Sequence, residues 1–223
     1  MNLAQLTGQD ETGLVNYNGY LLHADVVTDW AALQSDAAQA GFDLAIASAY
    51  RSFSRQLLIW NEKASGVRPL FDDKGQLLSV EQMSETDVVF AILRWSALPG
   101  GSRHHWGTDI DVYDRSAIAE NYVVQLIDTE VQSGGVFAPL HDWLDARIDK
   151  QQSHGFFRPY TTLPSTQETR PIGIAAERWH LSHQPSAQQF SQQLTLSALY
   201  QVIDAQEDMQ LKATVLAHFD EIF

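Results

Sequence analysis

At 223 residues with 44% hydrophobic content, the chain is long enough to bury one substantial core. Its formal charge of -14 excludes a nucleic-acid or anionic-membrane surface, since both need clustered Lys and Arg. No apolar run reaches the roughly 20 residues that a membrane-spanning helix needs. The opening Met1 to Asp10 lacks the basic start and apolar stretch of an export signal. A cytoplasmic protein is therefore expected, with a periplasmic one whose signal has been removed as the alternative, and the absence of cysteine fits either compartment.

Residues 1 to 22 read as loop, with a short strand at Gly19 to Leu22. Thr28 or Asp29 then caps a helix in which Trp30, Leu33 and Ala37 recur at helical spacing, and Gly41 supplies its left-handed stop. Phe42 to Ser48 follows as a strand, with Leu44, Ile46 and Ser48 on one face, and it delivers Tyr50 and Arg51 at its end. Ser52 or Ser54 caps the next helix, in which Leu57, Trp60 and Ala64 share a face and Gln56 lies near the start. Gly66 to Gln76, with Pro69 and Asp72-Asp73-Lys74, reads as a surface loop. Ser79 and Gln82 have the pattern of a capping box for a helix reaching about Ala97, which Pro99-Gly100-Gly101 ends.

After a strand at Thr108 to Tyr113, Glu120 to Thr129 is apolar enough for a strand or a short helix. Pro139 suits the first turn of a helix through Gln152, with Leu140, Trp143, Leu144 and Ile148 on its buried side. Phe156, Phe157 and Tyr160 read as strand, Thr161 to Arg170 as loop, and Pro171 to Ser182 as strand. Beyond Pro185, Phe190, Leu194, Leu199 and Ile203 outline one amphipathic helix, and Leu211, Val215, Phe219 and Ile222 a second. Helices and short antiparallel strands alternate irregularly, which favours an α+β fold over a doubly wound sheet. Residues 1–185 are expected to form the main domain and residues 186–223 a helical extension packed on it.

The chemistry concentrates between Ser102 and Asp114, S-R-H-H-W-G-T-D-I-D-V-Y-D. His104 and Asp111 flank Gly107, and Glu177-Arg178-Trp179-His180 adds a glutamate and a further histidine downstream. Together they compose a mononuclear zinc site with its own general base. Catalytic zinc keeps three protein ligands and leaves one position to water, whose pKa falls from about 16 to about 7 when bound. His104, Asp111 and His180 are the expected ligands of one Zn2+, and Glu177 the group that takes a proton from the attacking water and passes it to the leaving amine.

Odd offsets split two side chains across a regular strand. His104 is therefore placed in the loop after Pro99-Gly100-Gly101, Asp111 on the strand, and irregular backbone is expected at Ala176-Glu177. If His104 points in, its neighbour His105 points away and packs or meets solvent, and His183, at an odd offset from His180, faces the other way and takes a structural role or supports a ligand from behind. Asp109 and Asp114 read either as surface carboxylates or as acceptors that orient a ligating imidazole, Asp109 being the better placed because it shares a face with Asp111. Trp106 and Trp179 read as packing walls.

These same residues carry a resemblance. S-R-H-H-W-G-T-D-I-D resembles the S-x-H-x-x-G-x-x-x-D signature of VanY-type D-alanyl-D-alanine carboxypeptidases. Glu177-Arg178-Trp179-His180 resembles their E-x-W-H and Ser48-Ala49-Tyr50-Arg51-Ser52 their S-G-Y-R-S, all in the family's order. The resemblance runs roughly from His23 to Ser182 and leaves the C-terminal helices outside. It implies a hedgehog/D-Ala-D-Ala peptidase-like fold, a small antiparallel sheet flanked by helices. It also implies that His104, Asp111 and His180 bind zinc and that Glu177 is the base. Arg51 matches the arginine that holds the substrate carboxyl or the developing oxyanion, and Ser102 and Gln56 fall where family members contact the substrate terminus. The chain departs from the pattern at Asp109, where a small apolar residue is usual, and at Ala49, where a glycine usually precedes Tyr50.

The implied activity is hydrolysis of the C-terminal bond of a peptidoglycan-type peptide, most simply release of D-alanine from a D-Ala-D-Ala end. L,D-carboxypeptidase and D,D-dipeptidase activities on the same scaffold are the alternatives, and the implied partner is a peptidoglycan-derived peptide, with no nucleic acid and no membrane insertion. A rival of another class is a non-catalytic, zinc-stabilised protein that binds cell-wall peptides. The presence of Glu177, and no evident fourth protein ligand, count against it.

Overall fold

The structure, a computed structural model, describes residues 1–72, 75–160 and 173–222. Asn2 accepts a hydrogen bond from the Gln5 amide and starts α1 (Leu3–Leu6). β1 (Leu14–Tyr17) and β2 (Tyr20–His23) then form an antiparallel hairpin whose turn residues Asn18 and Gly19 both have positive φ, 52° and 93°. The hairpin corrects the expectation of a loop with a single strand. A 3-10 turn at Ala24–Val26 leads into α2 (Val27–Gln39), so Thr28 and Asp29 lie inside its first turn and do not cap it. Trp30, Leu33 and Ala37 are buried, as their spacing predicts.

β3 (Leu44–Ser48) is followed by α3 (Phe53–Ala64), which Ser52 caps by accepting from the Arg55 amide. The expected loop at 66–76 instead contributes β4 (Leu70–Phe71), which pairs with β5 (Leu77–Leu78). Ser79 and Gln82 belong to a separate 3-10 turn, and α4 (Glu85–Trp95) starts at Ser84, which is bonded reciprocally with Asp87. β6 (Asp109–Asp114) precedes an irregular stretch that ends in α5 (Asp128–Val131). The buried Glu130 carboxylate accepts from the amides of Gln125 and Leu126 and from the Tyr122 hydroxyl, holding 122–126 out of regular structure.

α6 (Ala138–Asp149) begins with Pro139 in its first turn, and β7 (Phe156–Phe157) follows. The loop expected at Thr161 to Arg170 lies outside the described residues. The expected strand at Pro171 to Ser182 is regular only over β8 (His180–His183). The C-terminal helices are α7 (Gln184–Gln193), α8 (Leu196–Asp204), α9 (Lys212–Ala217) and α10 (Phe219–Ile222), where two were expected. Thr195 makes the first break, because its side chain caps α8 by accepting from the Ala198 amide.

The result is a mixed α+β fold with small antiparallel sheets flanked by helices and a C-terminal helical extension. The main sheet has the order β3-β6-β8-β7, all antiparallel, with an irregularity between Ile46 and Ser48. Trp30 and Leu33 of α2 and Leu140 and Leu144 of α6 pack with Ile110, Val112 and Leu181 of the sheet. A second core joins α3 and α4 to the C-terminal helices through Trp60, Val89, Ile92, Leu199, Ile203 and Val215, and the Trp60 indole donates to the Gln210 carbonyl at 2.9 Å. Among the described residues no helix is long and apolar enough to cross a membrane.

Candidate metal centre

His104 sits in a 3-10 turn, Arg103–Trp106, which Gly107 ends at φ 67°. A Cβ at Gly107 would lie 2.8 Å from the His23 backbone nitrogen, so only glycine lets this turn rest on the β1–β2 hairpin. The turn is also tied to the segment carrying Arg51. The Arg51 amide donates to the His104 carbonyl at 3.1 Å. The His105 Nδ1–H donates to the Arg51 carbonyl at 2.6 Å while its Nε2 accepts from the Gly100 amide at 3.0 Å. His105 is thus a neutral structural strut, its pKa pushed down to about 4 by burial.

Asp111 and His180 face each other across the β6–β8 register. A tight turn precedes His180, whose amide donates to the Glu177 carbonyl at 3.0 Å. That turn is the irregular backbone the three-residue offset called for, and it brings Glu177 Oε2 to 3.7 Å from His180 Nδ1.

Hydrogen bonds to the far ring nitrogens select which atoms converge. His104 Nδ1–H donates to the Ala49 carbonyl at 2.8 Å, leaving Nε2 facing Asp111 Oδ2 at 3.3 Å. His180 Nε2–H donates to Asp109 Oδ1 at 2.9 Å, leaving Nδ1 facing Asp111 Oδ1 at 3.1 Å. One ligand atom from each of His104, Asp111 and His180 lies within 4.8 Å of the others, and all three residues are buried. Two imidazole nitrogens, each on a ring held from behind, and the carboxylate between them suit zinc.

The electrostatics agree. Burial alone would raise the Asp111 carboxyl, yet the neighbouring imidazoles hold it well below the usual carboxylate range. Burial pushes His180 down, but its hydrogen bonds to Asp109 and Asp111 prevail and raise it to about 10, so a proton on Nδ1 and a metal ion compete for the same place beside Asp111. For Glu177 burial dominates and raises the pKa to about 7, with His180, Arg51 and Lys63 opposing and Asp111 adding to it.

These groups open onto a cavity of about 790 Å3, whose wall includes Arg51, Ser102, Tyr160 and Trp179. Arg51 donates to Gln56 Oε1 at 2.9 Å and to Ser48 Oγ at 3.4 Å. Gln56 itself does not reach the cavity wall. It is fully buried behind Arg51, where its amide donates to Ser96 Oγ and the Ala97 carbonyl, so the structure places it as a brace for Arg51 in place of the expected contact with the substrate terminus. Asp109 is bound by Arg103 Nε at 2.8 Å and Thr108 Oγ1 at 2.6 Å, and Arg103 stacks 5.0 Å from the Trp106 ring. Asp114 accepts from the Asp43 and Ser116 amides, a purely structural arrangement. His183 turns away to donate to Asp29 and accept from Ser186.

Tyr160 and Lys63 join the wall without having been expected there. Tyr160 stacks edge-on to His180, with ring centroids 5.0 Å apart. Lys63 comes from the last turn of α3, and its spacing of seven residues from Gln56 was the available signal.

The family model for VanY, D-alanyl-D-alanine carboxypeptidase, matches residues 19–186. An uncharacterized protein of Haemophilus influenzae is 43% identical over 98 residues, 42% of this chain and 67% of that protein. A second from the same organism is 28% identical over 126 residues, 56% of this chain and 89% of that protein. Among solved structures, VanYB in complex with D-alanine-D-alanine is 20% identical and covers 87% of this chain and 89% of its own, with a TM-score of 0.52. The LD-carboxypeptidase LdcB is 21% identical, covering 85% and 78%, with a TM-score of 0.51. Both share the fold. The chain belongs to the VanY D-alanyl-D-alanine carboxypeptidase family and is a metal-dependent, peptidase-like enzyme.

Proposed function

We propose that this chain is a zinc carboxypeptidase that removes the C-terminal residue of a peptidoglycan-type peptide, most simply D-alanine from a D-Ala-D-Ala end. The observation that carries this is the convergence of His104 Nε2, Asp111 and His180 Nδ1 in a buried cluster, with the Glu177 carboxylate 3.7 Å from His180 on the same cavity. Zinc, when bound there, polarises the scissile carbonyl and lowers the pKa of a water in its open position.

The protein's own groups do the rest. Glu177 accepts a proton from the attacking water and returns it to the amide nitrogen of the departing residue, and a carboxyl near pKa 7 suits both transfers. Arg51, braced by Gln56, donates charge-assisted hydrogen bonds to the terminal carboxylate or to the oxyanion. Ser102, on the cavity wall beside His104, offers its hydroxyl to the substrate terminus. A cavity of about 790 Å3 accommodates several residues of a peptide and supports a stem peptide over a free dipeptide. By name, fold relatives span both chemistries, VanYB holding D-alanine-D-alanine and LdcB being an LD-carboxypeptidase.

The test is to incubate the protein, zinc-loaded and chelated, with a muramyl pentapeptide, the matching tetrapeptide and free D-Ala-D-Ala, following products by mass spectrometry. Zinc-dependent loss of one D-alanine from the pentapeptide alone is the expected result. Cleavage of the tetrapeptide alone would replace the D,D reading with an L,D one, and cleavage of the dipeptide alone with a dipeptidase. If the zinc-loaded protein cut none of them, the peptidase reading would fail in favour of a binding protein.

A further inference from the structure

Among the described residues, three cationic side chains line the cavity of this acidic chain: Arg51, Lys63 and Arg68. Two are already engaged. Arg51 is bonded to Gln56 and Ser48, and Arg68 is ion-paired with Glu62. The Lys63 ammonium is different, with neither a hydrogen bond nor an ion pair to any described residue. Among the described residues this half-buried lysine has the electrostatic pull of Glu177 but no hydrogen-bonded carboxylate, an arrangement that a ligand anion would complete. Burial pushes its pKa down to about 8, and Arg51 and Arg68 add to the effect while Glu177 opposes it. An incoming carboxylate would find the ammonium only partly satisfied.

α3 links the two cations: Gln56, which holds Arg51, and Lys63 are seven residues apart on this helix, and Arg51 and Lys63 both line the cavity.

We propose that Lys63, with Arg68 beside it, forms a subsite for a second carboxylate, so that the preferred peptide carries a free carboxylate upstream of its own C-terminal one. The proposal rests on the peptidase reading, with Arg51 taking the terminal carboxylate. Two groups in a peptidoglycan-type peptide offer this chemistry. One is the α-carboxylate left free by a γ-linked glutamate, and the other is the extra carboxylate of a diamino-dicarboxylic acid.

Four pentapeptides ending in D-Ala-D-Ala separate them: one with both carboxylates, one with the glutamate amidated, one with lysine replacing the diamino-dicarboxylic acid, and one with both changes. The zinc-loaded wild type is expected to favour a carboxylate-bearing peptide over the doubly neutralised one by about 10- to 100-fold in kcat/KM. Lys63→Met should erase that preference, read as the ratio of kcat/KM values between peptides so that any effect through Glu177 common to all four cancels, and Lys63→Arg should restore part of it. The single change that removes the preference identifies the source of the carboxylate.

No preference in the wild type would overturn the subsite. So would an equal loss by Lys63→Met on all four peptides, which would assign Lys63 to Glu177 instead. Calorimetric binding of the same four peptides to chelated wild type and Lys63→Met reads the subsite without turnover. Lys63-dependent binding of a peptide that is never cut would therefore sink the peptidase reading and keep the subsite, whereas binding indifferent to Lys63 would sink the subsite.

Discussion

Glu177→Gln is expected to lower kcat on any peptide the enzyme cleaves by about 10^2- to 10^4-fold, with KM little changed and zinc still bound. Glutamine keeps the shape of the side chain but cannot accept a proton. The carboxylate lies 3.7 Å from His180 Nδ1 and is not needed to complete the three-atom ligand set, so the metal should stay. Steady-state kinetics and metal analysis on one sample check both halves. Full activity would remove Glu177 from proton transfer, and loss of zinc would place it among the ligands.

A comparable effect is expected on the metal itself from Asp109→Asn, which should weaken zinc binding by about 10- to 100-fold. The Asp109 carboxylate receives His180 Nε2–H at 2.9 Å, fixing the tautomer that frees Nδ1, and it is fixed in turn by Arg103 and Thr108. Asparagine preserves the volume and an acceptor but removes the charge that makes the imidazole a stronger donor to metal. Asp109→Ala alone would leave Arg103 without its partner, so a paired Asp109→Ala and Arg103→Met variant separates folding from metal affinity. Competition with a chromophoric chelator gives the affinity, and circular dichroism reports the fold. An unchanged affinity would make Asp109 only a counter-ion to Arg103.

The residues of the metal cluster were legible because their chemistry is written in residue type and order. His104, Asp111 and His180 each carry a distinctive side chain in a short motif, and parity along a strand already set His183 aside. Behind that cluster the sequence reached only part way: the face shared with Asp111 already favoured Asp109 as an acceptor for a ligating imidazole, but which imidazole it serves depends on pairing between distant segments. Asp109 binds His180 only because the β6–β8 register sets Asp111 opposite His180 and Asp109 opposite Ser182.

Gln56 shows the same limit from the other side. Its position in α3 was readable, but whether its amide met substrate or braced Arg51 depended on the packing of Ser96 and Ala97 against it. Fold errors were of two kinds. Asn18-Gly19 is a strong local hairpin signal, whereas the pairing of β4 with β5 and the competition of Ser79 with Ser84 for the start of α4 turn on contacts no local pattern shows.

The metal centre is tested most directly by a zinc-edge anomalous difference map from crystals grown with the metal. One ion per chain is expected, bonded to His104 Nε2, an Asp111 oxygen and His180 Nδ1 at about 2.0–2.2 Å. A peak elsewhere, or an ion held through His183 or by His180 Nε2, would contradict it.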